Sequence, residues 1–206
     1  MFKAYLTTIF SLVITTSIIN LAYAQTEEKN ADDELATAVF AGGCFWCIEA
    51  DFEKLDGVTN VVSGYSGGDA TTADYKTVTY NETGHYEAVQ VSYDPNQVSY
   101  RELVDYFWRH IDPTDPRGQF CDKGSSYKSA IFYGSAEEKS IVAKSLADIE
   151  KSKTFDASIV TAIIAEQPFY LAEDYHQDYY KKNPLRYSFY RSSCGRDNRV
   201  EELWGE

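Results

Sequence analysis

Positively charged residues are scarce in this chain of 206 residues. Nineteen Lys and Arg stand against 32 Asp and Glu, which gives a net charge of −13 at pH 7. Such an excess of carboxylates repels a phosphate backbone, so we expect no nucleic acid among the partners. The acidity otherwise reports on solubility and points to no particular substrate.

Methionine is also rare, with one residue against 17 Tyr and 11 Phe. Apolar residues make up 44% of the sequence, which argues against disorder and for a sizeable core. Tyr and Phe suit such a core and also pockets for small apolar groups. We find no internal repeat, low-complexity tract or second linker, so we predict one domain over residues 35–206.

Residues 1–24 are predicted to be a signal peptide. Lys3 precedes an apolar stretch over residues 6–21, and Ala22-Tyr23-Ala24 offers small residues where a signal peptidase recognises them. An uncleaved membrane anchor is the alternative, but the stretch is short for a bilayer crossing and contains Thr, Ser and Asn. No cysteine lies nearby to carry a lipid. We therefore expect export to the periplasm, with the polar residues 25–34 as a flexible leader.

Four cysteines follow, namely Cys44, Cys47, Cys121 and Cys194. Two structural disulfides are one possibility in an exported protein, but a domain of this length should not need them to fold. A structural zinc site usually has two close cysteine pairs, whereas only Cys44 and Cys47 are close in this sequence. We therefore predict no metal site, and we expect redox chemistry from the cysteines.

Cys44 lies where a cysteine becomes reactive. The sequence predicts a short strand from Ala36 to Ala41, followed by a turn at Gly42-Gly43. It predicts a helix over residues 44–55, because apolar residues recur there at helical spacing. The helix dipole and free N–H groups stabilise a thiolate at a helix N-terminus, which lowers its pKa. We therefore predict that Cys44 is a redox-active nucleophile. Cys47 has the C-x-x-C spacing of redox helices, so it either pairs with Cys44 or packs in the helix.

Glu87 is a carboxylate on an apolar strand face. Residues 86–93 alternate like a strand, which places Glu87 on the same face as Val89, Val91 and Tyr93. Burial there would raise the pKa of the carboxyl and keep it protonated near neutral pH, as a general acid requires. A pairing with Lys or Arg, or a position at a sheet edge, is the alternative.

The rest of the chain predicts an α+β fold. Further strands are expected over residues 58–65, 127–133 and 158–165. Ser99 with Glu102 and Ser135 with Glu138 have capping-box spacing and predict helices over residues 100–111 and 136–151. We expect a single two-layer domain in which helices cover a mixed or antiparallel sheet. Residues 66–74 are predicted to be a Gly-rich loop, and the tail after Pro184, which lacks periodicity, a long coil.

Five ordered groups of residues between Val39 and the C-terminus resemble one known family. They are GCFWC followed by Glu49, TGHYE with VSYDP, GQFCDKGSSYKSAIF, AEDYHQDYYKKNP and SSCGRDNRVEELWG. The chain is similar in these groups to peptide methionine sulfoxide reductase A, the enzyme specific for the S epimer. GCFW alone would be suggestive, whereas five groups in consistent order make the resemblance specific.

The resemblance implies a reaction. Cys44 would attack the sulfoxide sulfur while Glu87 protonates the oxygen, and Cys44 would become a sulfenic acid. A second thiol would convert the sulfenic acid to a disulfide, which an external dithiol then reduces. The family places its resolving cysteine in the tail, so Cys194 is the first choice. Cys47 and Cys121 stand where Gly and Asn are more usual in the family, and they remain further candidates for the resolving thiol.

The resemblance also implies how the substrate is held. Phe45 and Trp46 would form the apolar pocket for the substrate methyl group. The hydroxyls of Tyr75 and Tyr127 would hydrogen-bond the sulfoxide oxygen, and Asp122 would help to hold the substrate and its water network. Phe45, Trp46, Asp122 and Tyr127 lie inside the quoted groups, and Tyr75 lies between GCFWC and TGHYE.

The implied substrates are free methionine-S-sulfoxide and oxidised exported proteins, and no cofactor is implied. Cytosolic thioredoxin could not reach an exported enzyme, so we expect a thioredoxin-like donor supplied through the membrane, and a monomer by default. A general thiol–disulfide oxidoreductase built on Cys44 and Cys47 is a second hypothesis, although the chain lacks the Pro-containing loop of that class. A non-catalytic domain that binds a partner through its aromatic surface is a third.

Overall fold

The computed structural model describes Met1 and residues 35–205. The predicted signal peptide (1–24) and leader (25–34) lie, apart from Met1, outside the described residues. From Leu35 onward the described residues belong to one compact unit. Within the part of the chain that is described, no helix has the length and apolarity needed to cross a bilayer.

Strands and helices alternate along the chain. The strands are β1 (Ala36–Gly42), β2 (Val58–Ser66), β3 (Tyr86–Tyr93), β4 (Gly118–Gln119), β5 (Asp122–Lys123), β6 (Ser129–Tyr133), β7 (Ala162–Ala165) and β8 (Phe169–Leu171). The helices are α1 (Phe45–Phe52), α2 (Tyr75–Tyr80), α3 (Tyr100–Trp108), α4 (Ala136–Ser152), α5 (Tyr179–Lys182), α6 (Pro184–Ser193) and α7 (Arg196–Trp204). This content confirms the predicted α+β class.

Six strands form one sheet in the order β7-β6-β1-β3-β2-β8, and β4 and β5 form a separate hairpin. Neighbours in the large sheet are antiparallel except β6 and β7, which are parallel. Phe40 pairs with Val89, so the antiparallel register brings the start of β3, with Glu87, beside the end of β1. Since β1 leads directly to Cys44, this register brings two predicted catalytic residues to one edge of the core.

Side chains of the sheet alternate between its two faces, as the pleat requires. Phe40, Val89 and Ile131 belong to the main core, together with apolar residues of α1, α3 and α4. Ala41 and Ala88 belong to a smaller cluster on the other face. The main core therefore lies between the sheet and these helices, which confirms the two-layer prediction.

Two helices begin at the predicted caps. The Ser99 hydroxyl accepts a hydrogen bond from the N–H of Glu102, and the Glu102 carboxylate accepts one from the N–H of Ser99. A cap of this kind contributes about 1 kcal/mol. Ser135 caps α4 by accepting a hydrogen bond from the N–H of Glu138. Both helix starts can be predicted from the sequence, because the hydrogen bonds of a cap join residues within four positions of each other.

The predicted long coil after Pro184 is wrong, because α6 and α7 occupy this segment. Pro184 is in the first turn of α6, where a missing N–H costs nothing. The inner side of α6 carries Tyr187 and Arg191 rather than aliphatic residues, and Arg191 forms an ion pair with Asp51 of α1 at 2.8 Å. The helix therefore packs through aromatic and charged contacts, which an apolar periodicity does not reveal.

Other predicted boundaries differ by a few residues. Helix α1 ends at Phe52 rather than at residue 55, and α3 ends at Trp108 rather than at residue 111. Strands β6 and β7 begin later than predicted, at Ser129 and Ala162. The short elements α2, β8 and α5 were not predicted, because three to six residues carry too little periodicity.

Candidate active site

The turn between β1 and α1 places Cys44. Gly43 has a φ of 82°, which glycine adopts without strain, and a Cβ there would lie 2.5 Å from the Cβ of Gln119. Cys44 follows as the N-cap residue of α1, with 7% of its surface exposed. The predicted position of Cys44 at a helix start is confirmed.

A small cavity lies at the N-terminus of α1. Its volume is about 70 Å³, which suits the end of one side chain. The predicted site residues that line it are Cys44, Phe45, Trp46, Tyr75, Glu87, Asp122 and Tyr127. Tyr190 also lines it, although the sequence analysis did not single this residue out. The structure thus brings these residues together, while the role of each stays a prediction.

Glu87 is buried on the inner face of β3, with 2% of its surface exposed, as the alternation predicts. Its Oε2 accepts a hydrogen bond from the N–H of Phe45 at 3.2 Å, and its carboxyl also hydrogen-bonds Tyr127. Burial raises the pKa of Glu87 to about 8, and the Asp122 carboxylate adds to the rise. Glu87 is therefore mostly protonated at neutral pH and able to donate a proton.

Cys44 and Cys47 are free thiols that hydrogen-bond each other. Burial raises the pKa of Cys44 well above its usual value, and Cys47 and Glu87 raise it further. The pKa of Cys47 is lowered to about 7, because the Cys44 thiol donates a hydrogen bond to it and Arg196 and Arg191 lie near it. The predicted lowering of the Cys44 pKa is thus wrong for the resting site. Burial outweighs the helix dipole, so Cys47 rather than Cys44 is the more acidic thiol of the pair.

The Trp46 ring is held on several sides. Its indole N–H donates a hydrogen bond to Nδ1 of His176 at 3.0 Å. The ring stacks on Tyr179 with centroids 3.7 Å apart and meets the edge of Tyr190 at 5.8 Å. Burial lowers the pKa of His176, which keeps the imidazole neutral and able to accept. The indole therefore forms a rigid apolar wall of the cavity.

Tyr190 connects two other residues of the site. Its hydroxyl donates a hydrogen bond to Oδ2 of Asp122 and also hydrogen-bonds Cys44. Tyr190 was not predicted as a site residue, because the segment that carries it was expected to be coil. The spacing of Tyr190, Arg191 and Cys194 is the helical signal that would have placed them on one face.

Cys121 and Cys194 form a disulfide bond, with their Cα atoms 4.8 Å apart. Cys121 is exposed and Cys194, the C-cap residue of α6, is partly exposed. Their neighbours Asp122 and Tyr190 line the cavity, so the bond lies close to it. The four cysteines are thus divided into a buried free pair and a more exposed disulfide.

Among the residues that the structure describes, two clusters of side chains are close enough to share one ion. They are Cys121, Asp122 and Cys194, and Glu49, Glu53 and Asp178. The first has its sulfurs in a disulfide, which offers no thiolate ligand. In the second, Lys181 forms ion pairs with Glu53 and Asp178 at 2.6 and 2.8 Å. Neither arrangement supports a metal centre.

Comparison with known proteins agrees with this geometry. The family model described as "Peptide methionine sulfoxide reductase" matches residues 36–206. Peptide methionine sulfoxide reductase MsrA/MsrB of Vibrio cholerae is 44% identical over 200 residues, which are 96% of this chain and 53% of that protein. This chain thus spans about half the length of that relative. Peptide methionine sulfoxide reductase MsrA 2 of Caulobacter vibrioides is 48% identical over 82% of this chain and 85% of the relative.

Solved structures of similar fold include Mxr1 from Saccharomyces cerevisiae in reduced form, with a TM-score of 0.69 and 34% identity over 73% of this chain and 87% of that one. Methionine sulfoxide reductase A of Corynebacterium diphtheriae has a TM-score of 0.65 and 30% identity, over 75% and 78%. Mxr1 in complex with Trx2 has a TM-score of 0.50 and 25% identity, over 71% and 85%. The chain therefore belongs to the peptide methionine sulfoxide reductase A family and is a peptide-methionine (S)-S-oxide reductase, an oxidoreductase that depends on thiols.

Proposed function

We propose that this protein reduces the S epimer of methionine sulfoxide by attack of Cys44 on sulfur, while Glu87 protonates the oxygen. One observation carries the proposal: a cysteine thiol and a carboxyl with a pKa of about 8 line the same cavity of about 70 Å³. A nucleophile and a proton donor that flank one small group are what cleavage of an S–O bond requires.

The other lining residues fit the parts of a methionine sulfoxide side chain. Phe45 and Trp46 offer apolar walls to the S-methyl group. Tyr75 and Tyr127 offer hydroxyls to the oxygen, and burial raises the pKa of Tyr75 to about 12, which keeps its proton in place. Asp122 offers a carboxylate beside the cavity for polar groups of the substrate or for ordered water.

The protons and electrons balance in two steps. The Cys44 sulfur bonds to the sulfoxide sulfur, and the oxygen leaves as water with the protons of Cys44 and Glu87. Water then attacks the Cys44 sulfur, methionine departs, and a proton returns to Glu87. The Cys44 sulfur is oxidised by two electrons to a sulfenic acid, and the substrate sulfur is reduced by two. The raised pKa of Cys44 fits this scheme, because its thiol proton is consumed in the first step.

We assign the next step to Cys47, the free thiol beside Cys44. Arg196 and Arg191 lie near Cys47 and lower its pKa, which favours the thiolate form that attacks. Its attack on the sulfenic acid forms the Cys44–Cys47 disulfide and releases water after one proton is taken up. The assignment departs from the first choice made from the family resemblance, since Cys194 is bonded to Cys121 in the structure.

A protein donor needs an exposed disulfide. Cys44 and Cys47 are only 7% and 2% exposed, whereas Cys121 is exposed. We propose that reduced Cys121 and Cys194 take the disulfide over from the buried pair, and that a thioredoxin-like dithiol reduces it at the surface. The thioredoxin complex of Mxr1 supports a donor of this kind.

Methionine release without reductant tests the assignment of Cys47. Wild-type enzyme with all four cysteines reduced should release about two methionines per chain, because two disulfides form in succession. Cys194→Ser and the matched variant Cys121→Ser should release about one and stop as the Cys44–Cys47 disulfide, which peptide mapping identifies. Cys47→Ser should release its first methionine normally and leave a sulfenic acid that dimedone traps. A Cys44–Cys194 disulfide formed in Cys47→Ser at the wild-type rate would show that Cys194 resolves.

We also propose export, with oxidised exported proteins as the substrates. The support is Lys3, the apolar stretch over residues 6–21 and the Ala22-Tyr23-Ala24 site. When the full chain is expressed in a bacterium, we expect a periplasmic protein that begins at Gln25 and elutes as a monomer. Recovery of the uncleaved chain in the cytoplasm would contradict export, and recovery in the membrane would support the anchor instead.

A further inference from the structure

Arg196 is a buried arginine in the first turn of α7. It is 2% exposed and stands two residues after Cys194. Burying a guanidinium costs free energy unless an opposite charge lies near it and its N–H groups have hydrogen-bond acceptors. The partners of Arg196 therefore show which parts of the fold it holds.

The partners come from several separate parts of the chain. Nη1 of Arg196 donates a hydrogen bond to the carbonyl of Gly42 at 3.2 Å, and Nη2 donates to the carbonyl of His110 at 2.8 Å. The guanidinium carbon lies 4.5 Å from the ring centroid of Phe120. Nε lies 3.7 Å from Oδ2 of Asp51, which makes an ion pair without a hydrogen bond.

Three of these partners are close in sequence to a cysteine. Gly42 precedes Cys44 by two residues, Asp51 follows Cys47 by about one helical turn, and Phe120 directly precedes Cys121. Arg196 itself follows Cys194. One side chain thus contacts the segments that carry all four cysteines.

These contacts matter once the surface disulfide is reduced. The bond between Cys121 and Cys194 then no longer joins the β4–β5 hairpin to the end of α6. Disulfide exchange requires the attacking sulfur to reach the buried pair in a defined geometry. The contacts of Arg196 involve neither of the two sulfurs, so they can hold the segments in place in the reduced state.

We propose that Arg196 is a positioning residue that keeps the Cys121 and Cys194 segments against α1, so that the disulfide passes from the buried pair to the surface pair. The inference rests on the relay proposed above. In that relay one thiolate of the surface pair attacks the Cys44–Cys47 disulfide and forms a mixed disulfide. The second thiolate attacks this bond and releases the remaining thiol of the buried pair. The buried pair gains two electrons and two protons, and the surface pair loses them.

The charges around Cys47 support this role. Arg196 and Arg191 lower the pKa of Cys47, and Asp51 raises it. Arg196 therefore acts on a thiol of the buried pair, although it lies on the helix that follows Cys194. The other titratable groups that face Cys47 are Cys44, Glu87 and Tyr187. Loss of Arg196 should therefore shift the alkylation of Cys47 to higher pH as well as loosen the surface segments.

Arg196→Gln tests the proposal, with Arg199→Gln as its control. Arg199 is on the same helix and forms ion pairs at 2.8 and 3.1 Å with Asp112 and Glu202, neither of which directly flanks a cysteine. In fully reduced Arg196→Gln, release of the first methionine should keep its wild-type rate. The second release, which needs the relay, should be at least about tenfold slower. Arg199→Gln should release both at wild-type rates.

A second variant keeps the test valid if Arg196→Gln does not fold. Phe120→Leu removes the ring beneath the guanidinium without leaving a charge unpaired, and it should also slow the second release. Arg196→Lys keeps the charge but loses the planar fork whose two nitrogens reach separate carbonyls, so it should restore the pH profile of Cys47 alkylation and not the relay rate. Donor-dependent turnover should fall more than turnover with dithiothreitol, which as a small molecule reaches buried sulfur more easily.

The outcomes separate this inference from the relay itself. Two methionines released by folded Arg196→Gln and Phe120→Leu at wild-type rates would overturn the role of Arg196 and leave the relay intact. A wild type that releases only about one methionine per chain would overturn the relay. Loss of the first release in Arg196→Gln would show a general disturbance of the active site and would also overturn the positioning role.

Discussion

Cys44→Ser is expected to abolish turnover of methionine-S-sulfoxide, with a loss in kcat/KM of at least about 10⁴-fold. A serine hydroxyl at this site, buried and next to a second thiol, is a far weaker nucleophile toward sulfur than the sulfur of Cys44. The measurement is methionine formation from a peptide that carries one epimer of the sulfoxide, with dithiothreitol as reductant. The substitution changes one atom of a buried side chain, so circular dichroism should show an intact fold.

Cys47→Ser is the matched control, because it makes the same change in the other thiol of the buried pair. It should keep the first methionine release, which needs only Cys44 and Glu87. Turnover of the S epimer by Cys44→Ser at the wild-type rate would refute the role of Cys44 as the nucleophile. Reduction of the R epimer by the wild type would refute the assigned specificity.

Glu87→Gln should lower kcat/KM by about 10²- to 10³-fold, because glutamine cannot give a proton to the leaving oxygen. The wild-type kcat/KM should fall as pH rises through about 8, where Glu87 loses its proton. In Glu87→Gln this decline of kcat/KM with rising pH should disappear. A variant that keeps the wild-type decline near pH 8 would assign the proton donor to another residue.

Glu87→Gln should lower kcat/KM but raise the Tm at high pH, so the loss of activity can be distinguished from a loss of stability. Because the folded protein holds the Glu87 proton up to a pKa of about 8, the wild type loses stability as pH rises from the unfolded pKa through that value. Glutamine is neutral and keeps an oxygen that can accept from the N–H of Phe45. At pH 8 the Tm of Glu87→Gln should exceed that of the wild type, and near pH 4 the difference should vanish. A lower Tm of Glu87→Gln at pH 8 would mean that the pKa of Glu87 is not raised in the folded protein.

The parts of the site that sequence predicted correctly depend on short stretches of chain. The start of α1 at Cys44 follows from two glycines and an apolar period, and the burial of Glu87 follows from strand alternation. Ser99 and Ser135 mark helix starts because a cap is made within one turn. These features need only neighbours within a few residues, which is the range over which a pattern is informative.

Predictions failed where distant contacts decide. The segment after Pro184 is helical although it has no apolar period, because Arg191 pairs with Asp51 and Tyr190 hydrogen-bonds Asp122 across the fold. The same helix brings Tyr190 to Cys44, so the error in the tail also hid one residue of the site. A pattern within the segment cannot report partners that lie more than sixty positions away.

The sequence by itself determined which chemistry this protein can perform, since the thiols, the strand carboxylate and the ordered family motifs are all properties of residue type and spacing. Only the tertiary structure decided how the four thiols are divided. It joined Cys121 to Cys194, left Cys44 beside Cys47, and placed Arg196 against the segments of both pairs. It also put the lower pKa on Cys47 rather than Cys44. The physical reason is that burial and charge act through space, and the groups that surround a buried thiol come from segments far apart in the chain.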